Sequence, residues 1–171
     1  MDAEGNLYVT ASWTARILRL RAGGSALDEW INDTQLGVEQ WSLNSIDCDR
    51  LSREIYTVNQ RAGRLFRIAI EPDGSAGAVP LIQTSQALRR LDGLKVIGPN
   101  TLATAEGGAG GMSVIFVDGD TAHVRRVPAG LDGMTTVAYY RGSAGVVEGQ
   151  SDHFRDPATA GPNANPPFRI V

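Results

Sequence analysis

Four stretches of this chain resemble one another at steps of 48, 47 and 42 residues, and no other feature restricts the fold as strongly. They read DAEGNLYVTASWTARILRL, DRLSREIYTVNQRAGRLFRI, IGPNTLATAEGGAGGMSVIF, and RGSAGVVEGQ followed later by PPFRIV, with Leu7, Ile55, Leu102 and Ala144 at equivalent places. Each stretch holds a polar turn, a short run rich in Val, Ile, Leu, Thr and Tyr, a second turn, and a second such run. Runs of that composition bounded by Gly, Asp, Asn and Pro are strands and their hairpins. A repeat of roughly 40–50 residues with about four strands per unit marks a β-propeller blade.

The rest of each unit fills in the same way. A leading strand is expected from Asn44, Asp92 and Asp132, and an outer strand near Leu27, Val79 and Val124. The units run about 1–40, 41–88, 89–130 and 131–171, with a long loop insertion at 151–167, SDHFRDPATAGPNANPP. Only Gln86–Leu91 invites a helical turn. The Gly-rich segment Glu106–Gly111 aligns with hairpin turns in the other units and has no helix after it, so it is a turn and not a phosphate cradle. The expected fold is all-β, a partial propeller of about three and a half to four four-stranded blades. The first unit lacks its leading strand and the last stops after its third. Exposed sheet edges are a liability. A fragment of a longer ring, a small closed ring and a ring completed by a second copy all follow from this, and a homodimer is the favoured expectation.

Composition narrows the function classes. Net charge is −3, Lys95 is the single lysine, and the arginines are scattered or paired (Arg89–Arg90, Arg125–Arg126), so no nucleic-acid stripe is expected. The lone cysteine, Cys48, excludes an internal disulfide and is expected as a small buried hydrophobe. No apolar run reaches the roughly 18 residues of a membrane span. The start MDAEGNLYV lacks a charged segment followed by an apolar one, so no signal peptide is read and a cytoplasmic location is favoured.

Candidate chemistry gathers at the leading ends of the inner strands. Asn44 and Asp92 lie one repeat apart, and Asp132 opens the same Leu-Asp-Gly pattern as Asp92. In a propeller such residues converge on the mouth of the central channel, where oxygen donors suit Ca²⁺ or a more Lewis-acidic divalent ion such as Zn²⁺. The competing reading is local: Asp-Gly before a strand is a common turn, with Asp capping its own backbone. Glu106 and Glu148, at the ends of second strands, read as turn partners. His123 reads as exposed on an outer strand, and His153 as part of the insertion. No Ser sits in a G-x-S-x-G elbow. Trp13, Trp30 and Trp41 read as blade-packing aromatics, with Trp13 at a turn.

The motifs GNLYVT, LNSIDCD, EIYTVNQRAGRLFRIAIEPDG and LDGLKV resemble those of the senescence-marker-protein/gluconolactonase family, the regucalcin-like six-bladed propellers. The resemblance covers nearly the whole chain as a pattern, and corresponds to later blades of that ring. It implies that Asn44 and Asp92 hold a divalent metal and that Asp92 also accepts a proton during lactone hydrolysis. Two positions depart from the family: Ser45 stands for its usual Gly and Leu91 for its usual Pro. The family's third ligand is a Glu from an early blade. Without its strand, the set would need Asp132, a water or a residue of a second chain. The implied activity is hydrolysis of sugar lactones or similar small esters. The alternative is a non-catalytic propeller piece that binds a ligand or a protein.

Overall fold

A computed structural model describes residues 1–37, 41–108, 110–128, 130–150 and 169–171. Thirteen strands occur among them, and no helix. The first sheet has β1 (Leu7–Ala11), β2 (Arg16–Leu20) and β3 (Leu27–Asn32) in that order. The second has β4 (Leu43–Asp49), β5 (Glu54–Asn59), β6 (Arg64–Ala69) and β7 (Leu81–Thr84). The third has β8 (Leu91–Gly98), β9 (Thr101–Glu106), β10 (Gly111–Asp118) and β11 (Thr121–Pro128). The last has β12 (Met134–Tyr140) and β13 (Ser143–Glu148), and Ile170 bridges antiparallel to Val147 where a third strand would run. Each sheet is an antiparallel meander, which is the blade of a β-propeller. The outer strands β7 and β11 also touch in parallel, Gln83 beside Thr121 and Thr84 beside Ala122, joining two blades at their rims.

Blades stack because their central strands are apolar on both faces. In β5, Ile55 points to the first blade, while Tyr56 and Val58 point to the third. In β9, Leu102 points back to the second blade, and Ala103 and Ala105 point forward to the fourth. Period-two alternation therefore supplies two cores from one strand. Three cores result, one per seam. Tyr8, Ile17, Trp30, Ile55 and Phe66 fill the first; Tyr56, Leu65, Leu91, Leu102 and Ile115 fill the second. The third, around Ala103, Ala105, Leu131, Met134, Val137 and Val146, is built from smaller side chains. Each fully buried Leu, Ile or Phe contributes roughly 1.5–3 kcal/mol.

Polar clasps tie the first two blades as well. The tight turn at Glu71–Gly74 presents the Gly74 carbonyl, which accepts from Arg19 Nη1 at 2.6 Å and Trp30 Nε1 at 3.0 Å. Arg19 is in turn paired with Asp28 at 2.8 Å.

Gln86–Leu91 is not helical. Gln86 Nε2 donates to the Val124 carbonyl at 3.0 Å and Leu88 is buried, so tertiary contacts hold this stretch as an irregular lead-in to β8. The outer strand expected near Val79 is shorter, starting at Leu81. The Gly-rich segment is the β9–β10 turn. His123 is exposed on β11. The 151–167 insertion and His153 lie outside the described residues.

Candidate functional site

The leading ends of the inner strands share an irregularity. Between Leu43 and Ile46, Leu91 and Leu94, and Met134 and Thr136 the pairing register slips, which marks a β-bulge at the same level of three successive blades. A bulge bends its strand and re-aims the side chains in it. Asn44 and Ser45 lie in the first bulge, and Asp92 and Gly93 in the second. Across the seam Asn44 Nδ2 donates to Asp92 Oδ1 at 2.9 Å, both residues being half-buried. The structure therefore brings together the two residues that lie one repeat apart in the sequence.

Asp132 does not sit at their level. Leu43 pairs with Asn59, Leu91 with Glu106 and Met134 with Glu148, so these three inner-strand residues are equivalent. The residue that follows each is Asn44, Asp92 and Thr135. Asp132 instead matches Arg89: its amide donates to Glu148 Oε1 at 3.0 Å, as the Arg89 amide donates to Glu106 Oε2 at 2.7 Å. The two Leu-Asp-Gly patterns look alike but are offset by three positions, and Asp132 is exposed in the lead-in loop.

The same bonds explain Glu106 and Glu148. Both are buried and sit at the ends of the second strands, where they grip the backbone that feeds the neighbouring inner strand. Glu106 also accepts from Ser113 Oγ and pairs with Arg126 at 3.4 Å. Glu148 pairs with Arg169 at 2.6 Å; that guanidinium, then the Asp132 amide, lowers its carboxyl from the usual 4.5 to about 2. Asn59 does the same work in the second blade with a neutral side chain, donating to the Leu36 carbonyl at 2.9 Å. In blades two to four a buried hydrogen-bonding side chain at the second-strand end thus fixes the lead-in loop, and with it the start of the inner strand.

Blades three and four approach closely at this level. A Cβ built on Gly93 would lie 2.5 Å from both Thr136 Cα and Val137 N. Only a residue without a side chain permits that backbone contact. At the opposite end of β4 and β8, Asp47 Oδ2 accepts from the Val96 amide at 2.9 Å and pairs with Lys95 Nζ at 2.9 Å, locking the two inner strands side by side.

Asn44 Oδ1 and the Asp92 carboxylate are hard oxygen donors next to each other, and such a pair fits a divalent cation as part of a larger oxygen shell. Among the described residues no group of three or more His, Cys, Asp or Glu is placed to hold a metal ion. Nor is any helix among them long and apolar enough to cross a membrane.

Sheet order, stacked blades and bulged inner strands define a β-propeller. Comparison with solved structures agrees. The chain is similar to the calcium-binding protein regucalcin from Agrobacterium tumefaciens, with 19% identity and a TM-score of 0.63 over 86% of this chain and 50% of that one. It is similar to a catalytically inactive virginiamycin B lyase from Staphylococcus aureus with quinupristin, with 15% identity and a TM-score of 0.66 over 88% and 48%. The Malassezia sympodialis allergen Mala s 1 matches with 18% identity and a TM-score of 0.66 over 90% and 49%. The chain spans about half the length of these proteins. At such identities the likeness establishes the fold alone. No family model matches the sequence, and no curated protein matches it significantly.

Proposed function

We propose that the channel mouth at Asn44 and Asp92 is a divalent-metal site that hydrolyses sugar lactones or similar small esters. The observation that carries the reading is the 2.9 Å contact between the two side chains across neighbouring inner strands. It is supported by the bulges that re-aim both residues, and by the likeness in fold to a calcium-binding propeller. Asn44 Oδ1 and the Asp92 carboxylate would hold the ion, which when bound supplies Lewis acidity to the substrate carbonyl. Asn44 also orients Asp92 through its Nδ2–H. Asp92 takes the proton released as a water oxygen adds to the carbonyl carbon. The ring C–O bond then breaks, the proton passes to the departing alkoxide, and a hydroxy acid leaves.

A second reading, a propeller module that binds without chemistry, is favoured because among the described residues no three of His, Cys, Asp or Glu are placed together to hold a metal ion. Thermal melts in EDTA and in excess Ca²⁺, Zn²⁺ or Mn²⁺ separate the two. A metal at about 100 times its Kd stabilises the fold by about 2.7 kcal/mol, a rise of roughly 5–11 °C for a chain this size. That rise is expected in the wild type and not in Asp92→Ala or in the near-isosteric Asp92→Asn. An equal rise in both variants, or none in the wild type with any metal, overturns the metal reading and leaves the binding module.

A further inference from the structure

Trp13 and Trp41 stand on the segments that flank Asn44 and contribute nothing to the blade cores. They are 64% and 40% exposed, whereas Trp30, the third tryptophan, is 7% exposed and packs edge-on against Tyr8. The two exposed indoles meet edge to face, with ring centroids 5.6 Å apart and planes at 87°. Trp41 Nε1 donates to the buried Gln60 Oε1 at 2.7 Å, which fixes its ring. Trp13 lies in the β1–β2 turn and Trp41 leads into β4. The two segments are joined where the Ser42 amide donates to the Ser12 carbonyl at 2.8 Å.

This shelf is at the Asn44 end of the blade. Trp41 precedes Asn44 by three residues, a reach of at most about 10 Å. On the other side, Thr10 Oγ1 donates to the Asn44 carbonyl at 2.5 Å, and Trp13 follows Thr10 by three residues. Two large rings in contact with each other, one of them held by a hydrogen bond, make a contiguous exposed aromatic patch of the kind that marks a binding surface. They are carried by the two segments next to Asn44, whose amide meets the Asp92 carboxylate. A flat C–H surface with hydroxyls around its edge is complementary to aromatic faces next to polar acceptors.

We infer that Trp13 and Trp41 form a stacking platform for the C–H face of a pyranose-like ring, presented at the mouth that holds Asn44 and Asp92. The choice of a sugar-type ring rests on the lactone reading above; the platform itself needs no metal.

Titration of tryptophan fluorescence with methyl β-D-glucopyranoside in EDTA, checked by saturation-transfer NMR, tests it. A saturable change is expected with the glucoside and not with acyclic sorbitol. Trp13→Ala should weaken binding about tenfold or more, while Trp13→Phe, which keeps an aromatic face, should stay within about threefold. Tyr140→Ala, at an exposed tyrosine on the last inner strand, should bind as the wild type does. No saturable response up to about 100 mM, an equal response to sorbitol, or unchanged affinity in Trp13→Ala overturns the platform. Because EDTA is present throughout, failure here leaves the metal melts unaffected, and failure there leaves this result intact.

Discussion

Replacing Gly93 by Ala adds one methyl group at the tightest point between blades three and four. The new Cβ would lie 2.5 Å from Thr136 Cα and from Val137 N, and 2.8 Å from the Thr136 carbonyl carbon. All three are backbone atoms, so no side chain can rotate away. One of the two inner strands has to move by about 1 Å, and the Ala103–Ala105 seam opens with it. Overpacking costs typically 1–3 kcal/mol, and an obstacle made only of backbone belongs at the upper end, about 3 kcal/mol. For a domain of this size each kcal/mol is worth roughly 2–4 °C, so Tm should fall by about 6–12 °C. Gly98→Ala is the matched control: it lies in the same strand with no positive φ, and its nearest neighbour would be Thr101 Cβ at 3.8 Å. That change should be neutral, or stabilising by up to about 1 kcal/mol through the unfolded chain. Calorimetric melts of both variants decide the matter. A Gly93→Ala protein melting within about 2 °C of wild type, or a Gly98→Ala protein falling equally far, would refute the close-approach argument.

Two further predictions concern titratable groups. Glu148 has its folded pKa depressed to about 2, chiefly by Arg169, so its contribution to stability is present above about 4.5 and is lost as pH falls from there toward 2. Tm measured from pH 6 to 2 should drop through that window in the wild type, and Arg169→Met should flatten the drop; an unchanged profile in the variant would contradict the assignment. Burial raises the Cys48 thiol to about 11. At pH 8 its thiolate fraction is then about a thousandth, against about a quarter for a free thiol, so the native protein should react with Ellman's reagent a few hundredfold more slowly than the unfolded one.

Much of this architecture is legible in the sequence because the physics that builds a blade is local. Turn residues at fixed intervals and two apolar faces per central strand mark Leu7, Ile55, Leu102 and Ala144 as equivalents. Equivalence by spacing also brings Asn44 and Asp92 together. It fails at Asp132. There the motif Leu-Asp-Gly recurs, but the step from Leu91 to Met134 is 43 residues against 48 from Leu43 to Leu91, which leaves the motif in the lead-in loop, and Thr135 takes the level of Asp92. Only the pairing of Met134 with Glu148 reveals the offset. The roles of Glu106, Glu148 and Asn59 are equally hidden. What they grip in the lead-in loops are backbone amides and a carbonyl, which carry no signature in the sequence. Trp13 and Trp41 read as packing aromatics for the same reason: composition does not tell a ring inside a seam from one standing in solvent. A signal was available at Trp13, which falls between two hairpin strands and has no blade face to enter.

The separate cores at the three seams give the molecule a one-dimensional energetic character. Each blade senses only its immediate neighbours, so stability is close to a sum of blade terms and nearest-neighbour couplings. The couplings are unequal: among the described residues the seam around Ala103 and Ala105 is filled by smaller side chains than the one around Tyr56 and Leu65. Opening at the seam around Ala103 and Ala105 is therefore expected to cost less than opening at the one around Tyr56 and Leu65. Asn44 and Asp92 meet across the better filled of these two seams.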